Sequence, residues 1–172
     1  IHGVTFASAD LSEKSEEISR PAVQIPNPFE EEKVARALME ARDRRLASSV
    51  TDLGGGGLSS AVGETAHKAR LGVEVHLDAV PLKYEGMAPW EIWVSESQER
   101  MLIAVKEPNL EQLLEVFSDE DVEAKAIGRF VESRFLKVSF GEVTVANLQM
   151  SFLFGPPRTV RVAEWVPSPP VE

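Results

Sequence analysis

The spacing of apolar residues along the chain predicts an alternation of helices and strands. Val34, Leu38 and Ala41 fall at i, i+4 and i+7, one apolar stripe on a helix running from about 28 to 46. Asn27-Pro28 suits its start, with asparagine as N-cap and proline at the first helical position. Glu30-Glu31-Glu32 then lie at the positive end of the dipole, and Arg42, Arg44 and Arg45 at the negative end. Leu46 to Thr51 reads as a short buried strand and Leu58 to Ala66 as a helix-compatible run. Gly72-Val73-Glu74-Val75-His76-Leu77-Asp78 alternates strictly, the mark of a half-buried strand. Pro89 to Val94 fits one or two helical turns, and Arg100 to Val105 a buried strand. Leu110, Leu113, Leu114 and Phe117 set an amphipathic helix over Asn109–Phe117. Val122 to Val131 reads as a further strand. Phe135–Phe140 and Glu142–Ala146 form a hairpin turning near Gly141. Pro21 to Ile25 gives one more short strand near the start. Helices and strands intermixed in this way imply an α/β or α+β class with one mixed or antiparallel sheet.

The ends of the chain have a different character. Residues 1–21 are polar, with Ser, Glu and Lys clustered between Ser8 and Ser19, and read as an irregular lead-in segment from a preceding domain. The folded unit is expected over 22–148, and 149–172, with Pro156, Pro157, Pro167, Pro169 and Pro170, as a proline-rich linker or tail. Residue 1 is isoleucine, which favours a piece cut from a longer polypeptide.

Composition narrows the function classes. In 172 residues, 43% are apolar and 27% charged, as in a globular protein with a real core. The 18 basic and 28 acidic side chains leave a net charge of −10, which argues against a nucleic-acid-binding surface. No apolar run approaches the ~18 residues of a membrane span. The chain has no cysteine, so it carries no disulfide, thiol nucleophile or thiolate zinc site, which fits the cytosol. His2, His67 and His76 have no metal-ligand spacing, and no Gly-x-Ser-x-Gly elbow is present.

Two stretches stand out chemically. Asp52-Leu53-Gly54-Gly55-Gly56-Gly57 joins a strand to a helix, placing backbone N–H groups where an anion is favoured, so Gly54, Gly55, Gly56 and Gly57 are a candidate phosphate-binding loop. A flexible surface loop is the plain alternative for a tetraglycine. The carboxylate of Asp52 would repel an anion there unless a hard divalent cation sat between them, which makes Asp52 a candidate metal ligand. Ser95-Glu96-Ser97-Gln98-Glu99-Arg100 offers short polar groups at the mouth of a strand, suited to a small polar ligand, with an ordinary polar turn as the alternative.

Arg20-Pro21-Ala22-Val23-Gln24 with Asn27-Pro28-Phe29, the Asp52 glycine turn, Gly86-Met87-Ala88-Pro89-Trp90-Glu91, and Ser95 to Met101 occur in this order. Together they resemble the first C-terminal-type domain of phosphoribosylformylglycinamidine synthase, the large subunit of the amidine-forming step of purine synthesis. Ile1 to Ser8 also resembles that enzyme's crossover between its first two domains. The resemblance covers residues 1 to about 130 and is weak in the tail. Pro26-Asn27 departs from the family's glycine-aspartate, and Gly63 and Thr65 weaken the helix around Glu64.

The resemblance implies an α+β fold layered as α/β: a mixed sheet flanked by helices, like the C-terminal domain of aminoimidazole ribonucleotide synthetase and partly ferredoxin-like. Gln24, Glu96, Ser97 and Gln98 match substrate-binding positions, and Asp52 matches a magnesium ligand. ATP is the implied co-substrate and Mg2+ the implied cofactor. The implied partners are formylglycinamide ribonucleotide, the preceding and following domains, a glutaminase subunit and a small accessory subunit, with no nucleic acid and no membrane. The catalytic histidine of such enzymes lies in the preceding domain, so no catalytic residue is expected here and the chain alone is expected to be inactive. A stand-alone binding or assembly module of the same fold is the alternative.

Overall fold

A computed structural model describes residues 27–155 and 157–164. The strand expected over Pro21–Ile25, the lead-in segment, Gln24 and the end of the tail lie outside them. The first described element, α1 (Pro28–Asp43), starts as its sequence dictates. The Asn27 side-chain oxygen accepts the Glu30 N–H at 3.3 Å, and Pro28 occupies the first helical position.

The helix stops three residues short of the predicted end. Arg45 adopts φ +57, the Leu46 N–H reaches the Ala41 carbonyl at 2.9 Å, and the Arg45 N–H reaches that of Arg42. This pair of bonds is a Schellman closure, normally built on glycine. The same device ends α2 (Leu58–Ala69), with Arg70 at φ +58, and α4 (Leu110–Asp119), with Asp121 at φ +55.

The strands form two sheets rather than the single sheet expected. β1 (Ala47–Asp52) pairs antiparallel with β3 (Met101–Val105) in a two-stranded ribbon. The larger sheet is mixed, in the order β4 (Gly128–Val131), β2 (Gly72–His76), β5 (Phe135–Phe140), β6 (Val143–Gln149). β2 runs parallel to β5 and antiparallel to β4, and β5–β6 is the hairpin turning at Gly141. Mixed sheet and helices together give the layered α+β class.

Several boundaries differ from expectation for physical reasons. β1 is not buried: Ser48, Ser49 and Val50 are exposed because a two-stranded ribbon offers few neighbours to cover them. Residues 122–127 are irregular, since Val122 closes α4 and Ile127 gives its carbonyl to the His76 N–H at 2.8 Å. The chain after β6 forms α5 (Met150–Phe154), a short helix within the stretch expected to be tail. Met150 is buried, and the Phe154 ring stacks on that of His67, centroids 4.2 Å apart, fixing α5 against α2.

Burial is divided between two cores. The larger lies between one face of the four-stranded sheet and α2, with Val62, Ala66, Val73, Val75, Leu77, Ile92, Leu136 and Val138 at its centre. The other sheet face carries Glu74, His76, Lys137 and Ser139, a polar surface that no helix among the described residues covers. The smaller core joins α1 to α4 through Ala37, Ala41, Leu113, Val116 and Phe117.

In α1 the buried line is Lys33, Ala37 and Ala41, with Val34 and Leu38 half-buried beside it. Lys33 fits there because its ammonium reaches Asp121 and Glu30, each at 3.1 Å. The Asp121 hydrogen bond, more than Glu30, raises the Lys33 pKa above its ordinary value against the opposing effect of burial. A raised amine pKa contributes stability that is complete below about 10.5 and lost as pH climbs through the folded-state value. Wild type is therefore expected to lose urea resistance above about pH 10.5, and Asp121→Asn to lose less over the same interval. Parallel loss in both would show that Lys33 is not the titrating group.

Candidate functional site

Three segments far apart in sequence meet at one end of the β1–β3 ribbon. Asp52 is the last residue of β1, paired with Met101 at the start of β3, and the Leu53 N–H donates to the Arg100 carbonyl at 3.1 Å. Leu53 turns into the main core, so the chain leaves the ribbon and enters the glycine turn. Gly56 and Gly57 both have positive φ, +80 and +55, which lets the backbone reverse into α2 within two residues. The turn is closed by the Gly57 N–H donating to the Gly54 carbonyl at 3.0 Å. The Ser59 and Ser60 hydroxyls fold back on the Gly56 and Gly55 carbonyls at 2.6 Å.

Against this turn lies the polar cluster. α3 (Pro89–Val94) begins where the Glu91 carboxylate accepts the Ala88 N–H at 2.8 Å, and its Ile92 is buried in the main core. That anchorage delivers Ser95 and Glu96, both buried, to the glycines. A Cβ on Gly57 would stand 2.0 Å from the Ser95 carbonyl oxygen, so only glycine permits the approach. Glu96 Oε1 accepts the Gly56 N–H at 3.0 Å.

The glycine turn is therefore not an empty row of N–H groups. Gly56 already holds a carboxylate and Gly57 is used by the turn, so an incoming phosphate would have to meet the remaining backbone of Gly54 and Gly55 or displace Glu96. The preference for an anion read from the glycines is met inside the chain by Glu96.

Ser97 and Gln98 are exposed, just beyond the buried pair. The Ser97 and Ser95 hydroxyls lie 3.0 Å apart. Glu99 has φ +53, and its carboxylate accepts the Asn27 N–H at 3.3 Å, tying the start of α1 to the loop. Arg100 then turns its guanidinium back across the loop. Its Nε donates to the Ser97 carbonyl at 2.9 Å and its Nη2 to that of Ser95. Burial pushes the Arg100 pKa down from its ordinary value.

Asp52 is exposed and leans over the turn, with Oδ2 3.3 Å from where a Gly54 Cβ would lie. An exposed carboxylate in that place suits one ligand of a hard divalent cation. Among the described residues no group of three or more His, Asp or Glu could hold a metal, so the rest of such a coordination sphere would come from elsewhere. His76 bonds the Ser139 hydroxyl at 2.9 Å on the polar sheet face, away from these segments.

The structure thus brings together Asp52, Gly54–Gly57 and Glu96–Gln98, which sequence spacing alone could not do. What sequence reasoning missed is the brace of Arg100 and the seat of Glu96. A basic residue directly after a polar run was the only available signal for the first.

A mixed sheet packed on one face by α2, and a polar loop packed on a glycine turn at a ribbon's mouth, define the class. The chain belongs to the family described as AIR synthase related protein, C-terminal domain, which matches residues 1–141. Within that family it is similar to phosphoribosylformylglycinamidine synthase subunit PurL. The PurL subunit of Picrophilus torridus is 46% identical over 153 residues, covering 89% of this chain and 20% of that protein. PurL of Thermotoga maritima complexed with FGAR has a TM-score of 0.82 at 32% identity, over 98% of this chain and 28% of that one. The same enzyme complexed with ATP has a TM-score of 0.76 at 31% identity, over 86% and 25%. The resemblance drawn from the motifs is borne out. The chain spans about a fifth to a quarter of the length of the curated relatives it matches. Among the described residues no helix is long and apolar enough to cross a membrane.

Proposed function

We propose that this chain is the substrate- and magnesium-binding domain of a cytosolic phosphoribosylformylglycinamidine synthase. The observation that carries the reading is the contact of Glu96 with Gly56 at 3.0 Å, which gathers the polar loop, the glycine turn and Asp52 into one site. The FGAR and ATP complexes of the Thermotoga relative support the choice of ligands.

In the reaction, the formyl amide oxygen of formylglycinamide ribonucleotide attacks the γ-phosphorus of ATP and ADP leaves. Ammonia then adds to the activated carbon, phosphate departs, and the amidine remains. Asp52 would hold Mg2+ in part, and the ion would supply neutralisation of phosphate charge. Ser97 and Gln98 orient the ribonucleotide by hydrogen bonds from the exposed tip of the loop, Glu96 fixes that tip to the turn, and Gln24 completes the contacts. Their contribution is position rather than proton transfer. The Asn27 N–H donates to the Glu99 carboxylate, tying the start of α1 to the same loop. The neighbouring domains bring the proton-transfer group and most nucleotide contacts, and a glutaminase with a small accessory subunit brings the ammonia.

The test uses the whole synthase. Ser97→Ala and Gln98→Ala are each expected to raise the KM for formylglycinamide ribonucleotide roughly tenfold, the effect of losing about 1.4 kcal/mol of hydrogen bonding, with little change for ATP. Equal effects on both substrates would contradict the assignment. Asp52→Asn is expected to raise the magnesium concentration giving half-maximal rate, and the 172-residue chain alone to form no amidine from ATP, ammonia and the ribonucleotide.

A further inference from the structure

We infer that Arg100 is a further positioning residue of this site, holding the backbone of the Ser95–Gln98 loop in the shape that presents Ser97 and Gln98. The inference rests on the substrate-binding reading of that loop given above.

Three observations converge on Arg100. Its guanidinium donates from two different nitrogens to two carbonyls, Ser97 at 2.9 Å and Ser95, so a single planar group spans the turn and fixes the distance between them. The Ser95 carbonyl is packed against Gly57, closer than any side chain would allow, and Arg100 supplies it with a donor there. The loop ends on Glu99 in a left-handed conformation, which a non-glycine residue holds only when its surroundings enforce it.

The chemistry of the group adds a fourth argument. Among the described residues Arg100 has no salt bridge, and burial has lowered its pKa. A half-buried cation bonded to carbonyls gives up part of its hydration, a cost that neutral donors to the same carbonyls would not carry. What the guanidinium offers is geometry: donors on two different nitrogens of one rigid plane, a separation that the single NH2 of a neutral carboxamide does not span. A lysine offers one point charge on a flexible stem and can reach one carbonyl well, not both at fixed separation.

The experiment compares Arg100→Gln, Arg100→Lys and Ser97→Ala in the whole synthase, measuring KM for formylglycinamide ribonucleotide and for ATP together with the thermal midpoint. Arg100→Gln is expected to raise the ribonucleotide KM about tenfold with the ATP KM within about twofold, and Arg100→Lys to fall between it and wild type. Should the glutamine variant fail to fold, the same split is read on the lysine variant. A ribonucleotide KM unchanged in the Arg100 variants but raised in Ser97→Ala overturns the role of Arg100 and leaves the site standing. A KM unchanged in Ser97→Ala overturns the site reading itself. Equal rises for both substrates, tracking a fall in thermal midpoint, would make Arg100 structural only and overturn the inference.

Discussion

Gly57→Ala is expected to destabilise the chain by about 3–5 kcal/mol, the sum of two separate penalties. The first is conformational. Gly57 holds φ +55 with ψ −132, a combination outside the regions open to residues with a Cβ. The second is steric, because the new methyl would lie 2.0 Å from the Ser95 carbonyl oxygen and 2.9 Å from its carbon. Neither atom is a flexible side-chain end that could swing aside. The loop would have to retreat from the turn, taking Glu96 from Gly56 and carrying Ser97 and Gln98 with it. Urea denaturation of the variant reads the stability loss, and the ribonucleotide KM of the whole synthase reads the displacement. Gly141→Ala is the control: it has the same φ of +55 but nothing within 4 Å of the added atom. It is expected to cost only about 1 kcal/mol. Equal losses at the two glycines would show that the close approach of loop and turn is not what matters at Gly57.

The second large effect is expected at Leu77. This side chain is fully buried in the 3-10 turn that follows β2, and it belongs to the same cluster as Ile92 of α3. Truncation to alanine removes about three methyl-sized groups and leaves a cavity that the sheet on one side and α3 on the other can only partly close. A loss of about 3–5 kcal/mol is expected, a large share of the ~5–15 kcal/mol that holds an ordinary domain. Leu82, 44% exposed in the loop beyond, provides the comparison, with a change below about 0.5 kcal/mol on Leu82→Ala. Because Leu77 and Ile92 share one cluster, slack there also reaches the loop that α3 delivers. Midpoints of the two leucine variants that agree would refute the placement of Leu77 at the centre of the core.

Much of this was legible in the chain, and the exceptions have physical causes. The Asn27-Pro28 start of α1 could be read because both residues act within their own turn, and so could the β5–β6 hairpin around Gly141. The helix ends could not. Arg45, Arg70 and Asp121 take the left-handed position that glycine usually marks, so the sequence pattern carries α1 on to about 46. Leu46–Thr51 carried the composition of a buried strand, but burial depends on what lies opposite, and a two-stranded ribbon leaves Val50 47% exposed. At the site, Asp52, the glycines and Ser95–Arg100 could be singled out by type. That Glu96 would be the anion for Gly56, 40 residues earlier, is a fact of tertiary contact with no local trace. The same holds for Lys33, whose place in a buried line depends on Asp121, 88 residues away.

The parallel pairing of β2 with β5 also sets a timetable. Val73 lies beside Leu136, 63 positions later, so the central strand of the larger sheet has no parallel neighbour until that much more chain has been made. At ribosomal speeds of roughly 5–20 residues per second the wait is about 3–13 s. Through it Val73 and Val75 have α2 on one side and no β5 beside them. The α1–α4 core, by contrast, has all its described members once Val122 and Ala124 have emerged. A nascent chain whose emerged part ends between Ala124 and Phe135 would therefore hold one finished half and one sticky one, and the binding of chaperones to stalled chains should peak in that window.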